Sequence, residues 1–123
     1  MRFLCIVYGC DGPQPAGEED SDGPMMREVI EQVRALAATG HLIAASPLDH
    51  PSTAVTVQVR DSGVTLTDGP FAETKEHVGG FYLINAESLE EAVQFATEMP
   101  PARIGAIEVR PLVEIMPDRR STA

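Results

Sequence analysis

Apolar residues along this chain switch repeatedly between two spacings, and the order of the switches leaves few topologies open. RFLCIVY, Arg2 to Tyr8, is a continuous apolar, β-favouring run closed by Gly9. From Pro24 the spacing becomes helical: Met26, Val29, Ile30, Val33 and Ala37 form one stripe, Pro24 suits a first turn and Gly40 a stop. HLIAASPL, residues 41–48, returns to strand. AVTVQVR then alternates Val55, Val57 and Val59 against Thr56, Gln58 and Arg60, which predicts one buried face. Asp61, Ser62 and Gly63 turn the chain, and VTLT completes a hairpin. FYLINA after Gly79 and Gly80 is another strand. Ser88 and Glu91 then form a capping box for a second helix, with Leu89, Ala92, Val93 and Ala96 on its inner face. Pro100 and Pro101 end that helix, and GAIEVRPLVEI supplies a last strand.

Strand, helix, strand, hairpin, strand, helix, strand is an α+β order: a split βαβ plan with an inserted β-hairpin, two helices covering one face of an antiparallel sheet. The other face has no cover within the chain. A second copy packed sheet to sheet is the expected solution, so a homodimer is predicted. The 123 residues suit one domain, taken as residues 1–116, with a flexible tail at 117–123. CDGPQPAGEEDSDG, residues 10–23, reads as a solvated acidic loop. Cys5 belongs in the core and Cys10 at the loop, on opposite faces, so no disulfide between them is expected.

Acidic residues outnumber Lys and Arg by 19 to 9, and the formal charge of −10 would repel nucleic acid and anionic membranes alike. No apolar run approaches the roughly twenty residues of a membrane-spanning helix, and the amino-terminal MRFLCIVYG is too short for a signal peptide, so a cytoplasmic protein is expected. His41, His50 and His77 lack metal-ligand spacing, and Met25 and Met26 have no His or Cys nearby at such spacing. There is no nucleophile elbow, no phosphate-cradling glycine loop and no Trp platform for base stacking. No metal or cofactor is expected, and no catalytic set is assigned.

DGPFAETKEHVGGFYLI, residues 68–84, concentrates what remains. Asp68, Gly69 and Pro70 make a turn: Asp bonds following amides, Gly tolerates positive φ and Pro fixes the exit. Glu73, Lys75 and Glu76 are bunched before the glycine pair, where a Lys between carboxylates can serve as a charge-assisted donor. Glu108 and Arg110 share one face of the last strand, opposite Ile107 and Val109. Tyr82, on the face of Gly80 and Ile84, would line the same cavity if its strand lies beside theirs. Asp68, Glu73, Lys75, Glu76, Tyr82, Glu108 and Arg110 are therefore the candidate ligand-binding residues. A Gly in a strand commonly marks close backbone approach, so Gly80→Val is expected to harm folding more than Lys75→Ala.

TDGPFAETKEHVGGFYLINAESLEEAVQFATEMPPARIGAIEVRPLVEI, residues 67–115, closely resembles the DGPF-type branch of the YCII-related family of bacterial proteins. MRFLCIVYG resembles that family's first strand and PSTAVTVQVRDSGVTLT its hairpin. The resemblance implies a ferredoxin-like, dimeric α+β barrel. It also implies a regulatory or small-molecule-binding accessory role linked to sigma factors of the extracytoplasmic-function type. Related barrels that are cofactor-free isomerases, dehydrochlorinases or monooxygenases imply an alternative, a cofactor-free lyase or isomerase acting on small cyclic or dienoic acids. In that alternative a carboxylate or His41 moves a proton, and Lys75 or Arg110 steadies an oxyanion. Residues carried over by the motif are Asp68, Gly69, Pro70, Phe71, Glu73, Lys75 and Glu76, with Glu108 and Arg110. The His and Asp pair associated with the enzymatic relatives has no matching pair here, since the first helix holds no histidine and neither His41 nor Asp49 falls in the motif.

Overall fold

The structure, a computed structural model, describes residues 1–10, 24–72 and 76–115, excepting the side chains of Cys10 and Glu76. Six strands and two helices follow the predicted order: β1 (Arg2–Cys10), α1 (Pro24–Ala38), β2 (Leu42–Pro47), β3 (Val55–Arg60), β4 (Gly63–Asp68), β5 (Glu76–Asn85), α2 (Leu89–Thr97) and β6 (Ala106–Pro111). β2, β5, β1 and β6 form one antiparallel sheet in that spatial order, while β3 and β4 form a two-stranded sheet of their own. This is the α+β architecture expected from the sequence. The acidic loop beyond Cys10, residue 116 with the tail 117–123, and Glu73 and Lys75 lie outside the described residues.

Register decides which side chains meet the helices. Cys5 lies opposite Tyr82 on one side and Val109 on the other, so these three share a face with Phe3, Val7 and Ile84. That face packs against Leu36 of α1 and against Ala92 and Ala96 of α2, with Met99 closing the core; Phe3, Cys5, Ile84 and Met99 are completely buried. Cys5 is a free thiol in this core, and burial pushes its pKa up to about 11. It is inert packing, as its place in an apolar strand predicted.

The helices differ from expectation in which residues they bury. In α2 the inner face is Ala92, Phe95 and Ala96, while Leu89 and Val93 stay largely exposed. Ser88 Oγ accepts from the Glu91 N–H at 3.1 Å, as a capping box requires. Glu91 Oε1 reaches back to the Glu87 N–H at 2.8 Å, one residue before the usual partner. In α1, Leu36 is the buried anchor, helped by Val29 and Val33, whereas Ile30 and Ala37 face outward.

The hairpin departs further. Val55, Val57 and Val59 share a face with Val64 and Leu66, as the alternation required, but all five are 57 to 67 % exposed. The predicted buried face is thus bare in the single chain, because nothing in the described chain is laid across it. β5 also begins earlier than expected, at Glu76, and passes a register shift at Gly79, since Val7 pairs with Gly80 while Tyr8 pairs with Val78. β6 is shorter than predicted and stops at Pro111.

Candidate functional site

Leu4, Ile6 and Tyr8 point away from the helices, on the face shared by Phe81, Leu83, Glu108 and Arg110. On this uncovered face Tyr8 Oη donates to Glu108 Oε1 at 3.2 Å, and Arg110 Nη2 donates to Glu108 Oε2. The Arg110 hydrogen bond holds the Glu108 carboxyl below its ordinary pKa, against the opposing cost of partial desolvation. Partial burial, and then the Glu108 charge, raise that of Tyr8, so the phenol keeps its proton and remains the donor. Glu108 and Arg110, placed on one face of β6 by the alternation, form an ion pair. Being largely exposed, it adds orientation to Tyr8 more than stability.

Beside Tyr8 the chain crosses the end of the sheet from β2 to β3, facing the turn that leaves β4. Between the two lies a cleft of about 550 Å³ whose wall includes Tyr8, Asp49, His50, Pro70, Ala72 and His77. The DGPF turn builds one side. Gly69 sits at φ +100°, its N–H donates to the Ala54 carbonyl at 2.6 Å, and its own carbonyl accepts from Thr56 Oγ1 at 2.8 Å. Pro70 and Ala72 are thereby held over the cleft, while Phe71 is exposed. The β2–β3 crossing builds the other side. His50 Nδ1 accepts from the Ser52 N–H at 3.1 Å, which leaves the neutral ring's proton on Nε2. The Asp49 carboxylate is engaged by the His50 N–H at 2.6 Å.

The residues singled out from the sequence are thus divided. Glu108 and Arg110 come together and reach the cleft through Tyr8. Asp68 ends β4 opposite Val55, exposed, on the bare face of the hairpin and outside the cleft wall. Glu73 and Lys75, and the side chain of Glu76, lie outside the described residues. Tyr82 is a correction: β1 intervenes between β5 and β6, and the register puts Tyr82 on the helix side, 2 % exposed and on the opposite face from Glu108. His41 is remote as well, its ring 4.7 Å from that of Phe95 and its Nδ1 2.8 Å from Thr39 Oγ1. Tyr8, Asp49, His50 and His77 were not singled out for a site, since only the pairing of β1 with β5 and the β2–β3 crossing beside it bring them together. The one signal for them in the sequence is that both connections, residues 48–54 and 69–75, are short and contain Pro.

A second cavity, of about 400 Å³, lies on the helix side between α1 and the ends of β2 and β5. Its wall is almost wholly apolar. Among the described residues, no three His, Cys, Asp or Glu side chains come together as metal ligands, and no helix is long and apolar enough to cross a membrane.

The solved structure of 5-chloro-2-hydroxyhydroquinone dehydrochlorinase, TftG, from Burkholderia phenoliruptrix AC1100, in complex with 2,5-dihydroxybenzoquinone, is similar in fold. It superposes with a TM-score of 0.50 at 20 % identity over 92 % of this chain and 94 % of that one. An uncharacterized protein of Rhizobium meliloti (strain 1021), R00369, is 36 % identical over 120 residues, covering 95 % of this chain and 96 % of its own. The sequence pattern of the YCII-related domain matches residues 1–116, and the chain belongs to the YCII-related family.

Proposed function

We propose that this protein is a homodimeric small-molecule-binding accessory protein whose ligand occupies the cleft beneath the DGPF turn. The observation that carries this reading is the cleft itself: about 550 Å³, within the roughly 300–1,000 Å³ of small-molecule sites, and ringed by Tyr8, Asp49, His50 and His77. Apolar walls with a few convergent polar groups suit a compact, hydroxylated or carboxylated organic molecule. Tyr8 is pre-positioned by Glu108 and Arg110, and His50 by Ser52, so little ordering is left to binding.

A second reading, a cofactor-free lyase or isomerase, is favoured by His50 in the cleft wall, whose Nε2–H can donate a hydrogen bond that steadies an oxyanion developing on a bound substrate. The fold shared with TftG supplies the assay. Incubation with 5-chloro-2-hydroxyhydroquinone, followed by chloride measurement, separates the two readings. Release of chloride by the wild type that falls at least about a hundredfold in His50→Ala establishes the enzyme. The accessory reading expects no release above the uncatalysed rate.

Dimerisation through the uncovered sheet face is supported by Leu4, Ile6, Phe81 and Leu83 on that face and by the bare valines of the hairpin. Light scattering on the purified protein is expected to give twice the chain's 13.2 kDa, with Ile6→Glu reduced to a monomer. A monomeric wild type would refute it. The same purification from a native host tests the sigma-factor link: a sigma factor carried along at equal stoichiometry supports it, and a homodimer alone removes it.

A further inference from the structure

Tyr82 presents an unsolved hydrogen bond. Its side chain is 2 % exposed, and its hydroxyl has no partner among the described residues. A buried hydroxyl without a partner is costly, and a native fold retains one where something else completes it. Tyr82 forms part of the wall of the cavity of about 400 Å³ under α1, with Val7, Met26, Val29, Val33 and Ala45 around it. The two observations fall on one residue: Tyr82 lines an apolar chamber while its hydroxyl is concealed within the wall.

We propose that this chamber is a second ligand site, distinct from the DGPF cleft, that takes a compact apolar molecule bearing a carbonyl oxygen, which accepts from the Tyr82 hydroxyl. The chamber and the cleft lie on opposite faces of the sheet, because Tyr82 and Tyr8 do. An apolar ring or chain fills the wall, and the carbonyl supplies the acceptor the protein lacks. Burial pushes the Tyr82 pKa up to about 12, so the hydroxyl stays protonated and serves as a donor at any physiological pH. The hydroxyl is shielded in the unliganded protein, so binding requires a side-chain movement in the wall. Met25 and Met26, unbranched and readily rotated, stand in that wall. Arg34 also borders the chamber and is exposed, marking the side open to water.

The test compares two probes of nearly equal shape, 2-acetylnaphthalene and 2-isopropenylnaphthalene, which differ in carrying or lacking the carbonyl oxygen. Titrations follow the 13C-methyl resonances of Met25 and Met26 in the wild type and in Tyr82→Phe. The wild type is expected to bind the ketone about tenfold more tightly than the alkene, and Tyr82→Phe to bind both alike. The unliganded Tyr82→Phe protein is expected to melt a few degrees higher, about 3 °C or more, because the variant no longer buries an unpaired hydroxyl. Unmoved Met25 and Met26 methyls would overturn the proposal, as would a ketone preference that survives in Tyr82→Phe. A melting temperature that falls in the variant would do the same, since the hydroxyl would then have had a partner in the unliganded protein.

Discussion

Gly105→Ala is expected to unfold the protein or lower its melting temperature by more than about 10 °C, the largest effect of a methyl group added at any glycine among the described residues. A Cβ at this position would stand 2.0 Å from the Tyr8 carbonyl oxygen and 3.1 Å from its carbon. Both are backbone atoms of β1, and Tyr8 is paired with Ala106 of β6 at that very point. No rotamer change relieves such a contact; the strands must separate, at a cost of about 3 kcal/mol or more. The damage would extend to the cleft, because Tyr8 lines it and would be displaced with its backbone. Thermal melts of the wild type and variant measure the effect, and a variant that melts within 2–3 °C of the wild type would show that the close approach is absent.

Gly80→Val should come next, with a loss of about 2–3 kcal/mol. At Gly80 a Cβ would lie 2.8 Å from the Ser46 carbonyl oxygen and 3.1 Å from the Pro47 Cα, where β5 passes against β2. Valine adds two further carbons to that collision. The position also adjoins the register shift at Gly79, so the substitution would strain the pairing of β5 with both β1 and β2. Urea unfolding should show a lower midpoint with an unchanged slope. A midpoint equal to that of the wild type would mean that the β2–β5 seam opens freely.

Both glycines illustrate what a single sequence can convey. Gly80 stood out as a strand glycine, and its reason proved to be close backbone approach. Gly105 did not stand out, because its neighbour is a carbonyl nearly a hundred residues away in the chain. The same division runs through the fold. Element order and period sufficed for the α+β plan, since apolar spacing is a local property. Period alone cannot say what covers a face. Val55, Val57 and Val59 alternate as a buried strand does, yet they are bare in the single chain. In the short helix α2, Leu89 and Val93 fitted an apolar stripe with Ala92 and Ala96, yet it is Phe95 that packs on the core beside those alanines.

The site shows the division most sharply. Asp68, Gly69 and Pro70 were readable as a turn because their chemistry is local. The shared face of Glu108 and Arg110 was readable from alternation, and so was that of Tyr82 with Gly80 and Ile84. Which of those faces meet was not, because β1 lies between β5 and β6 and its register sends Tyr82 inward and Glu108 outward. Asp49, His50 and His77 gain meaning only when the β2–β3 loop lies beside the start of β5.

The central claim is that the cleft beneath the DGPF turn holds a small organic molecule, and an amide NMR screen of hydroxylated aromatics, quinones and dienoic acids against wild type and Ala72→Trp tests it most directly. Ala72 stands in the cleft wall, and an indole there would fill the space without touching the core. Hits are expected to shift the amides of Tyr8, His50, His77 and Val78 in the wild type and to leave them unmoved in Ala72→Trp, with the two proteins melting alike. A screen without hits, or hits whose shifts persist in Ala72→Trp, would contradict it.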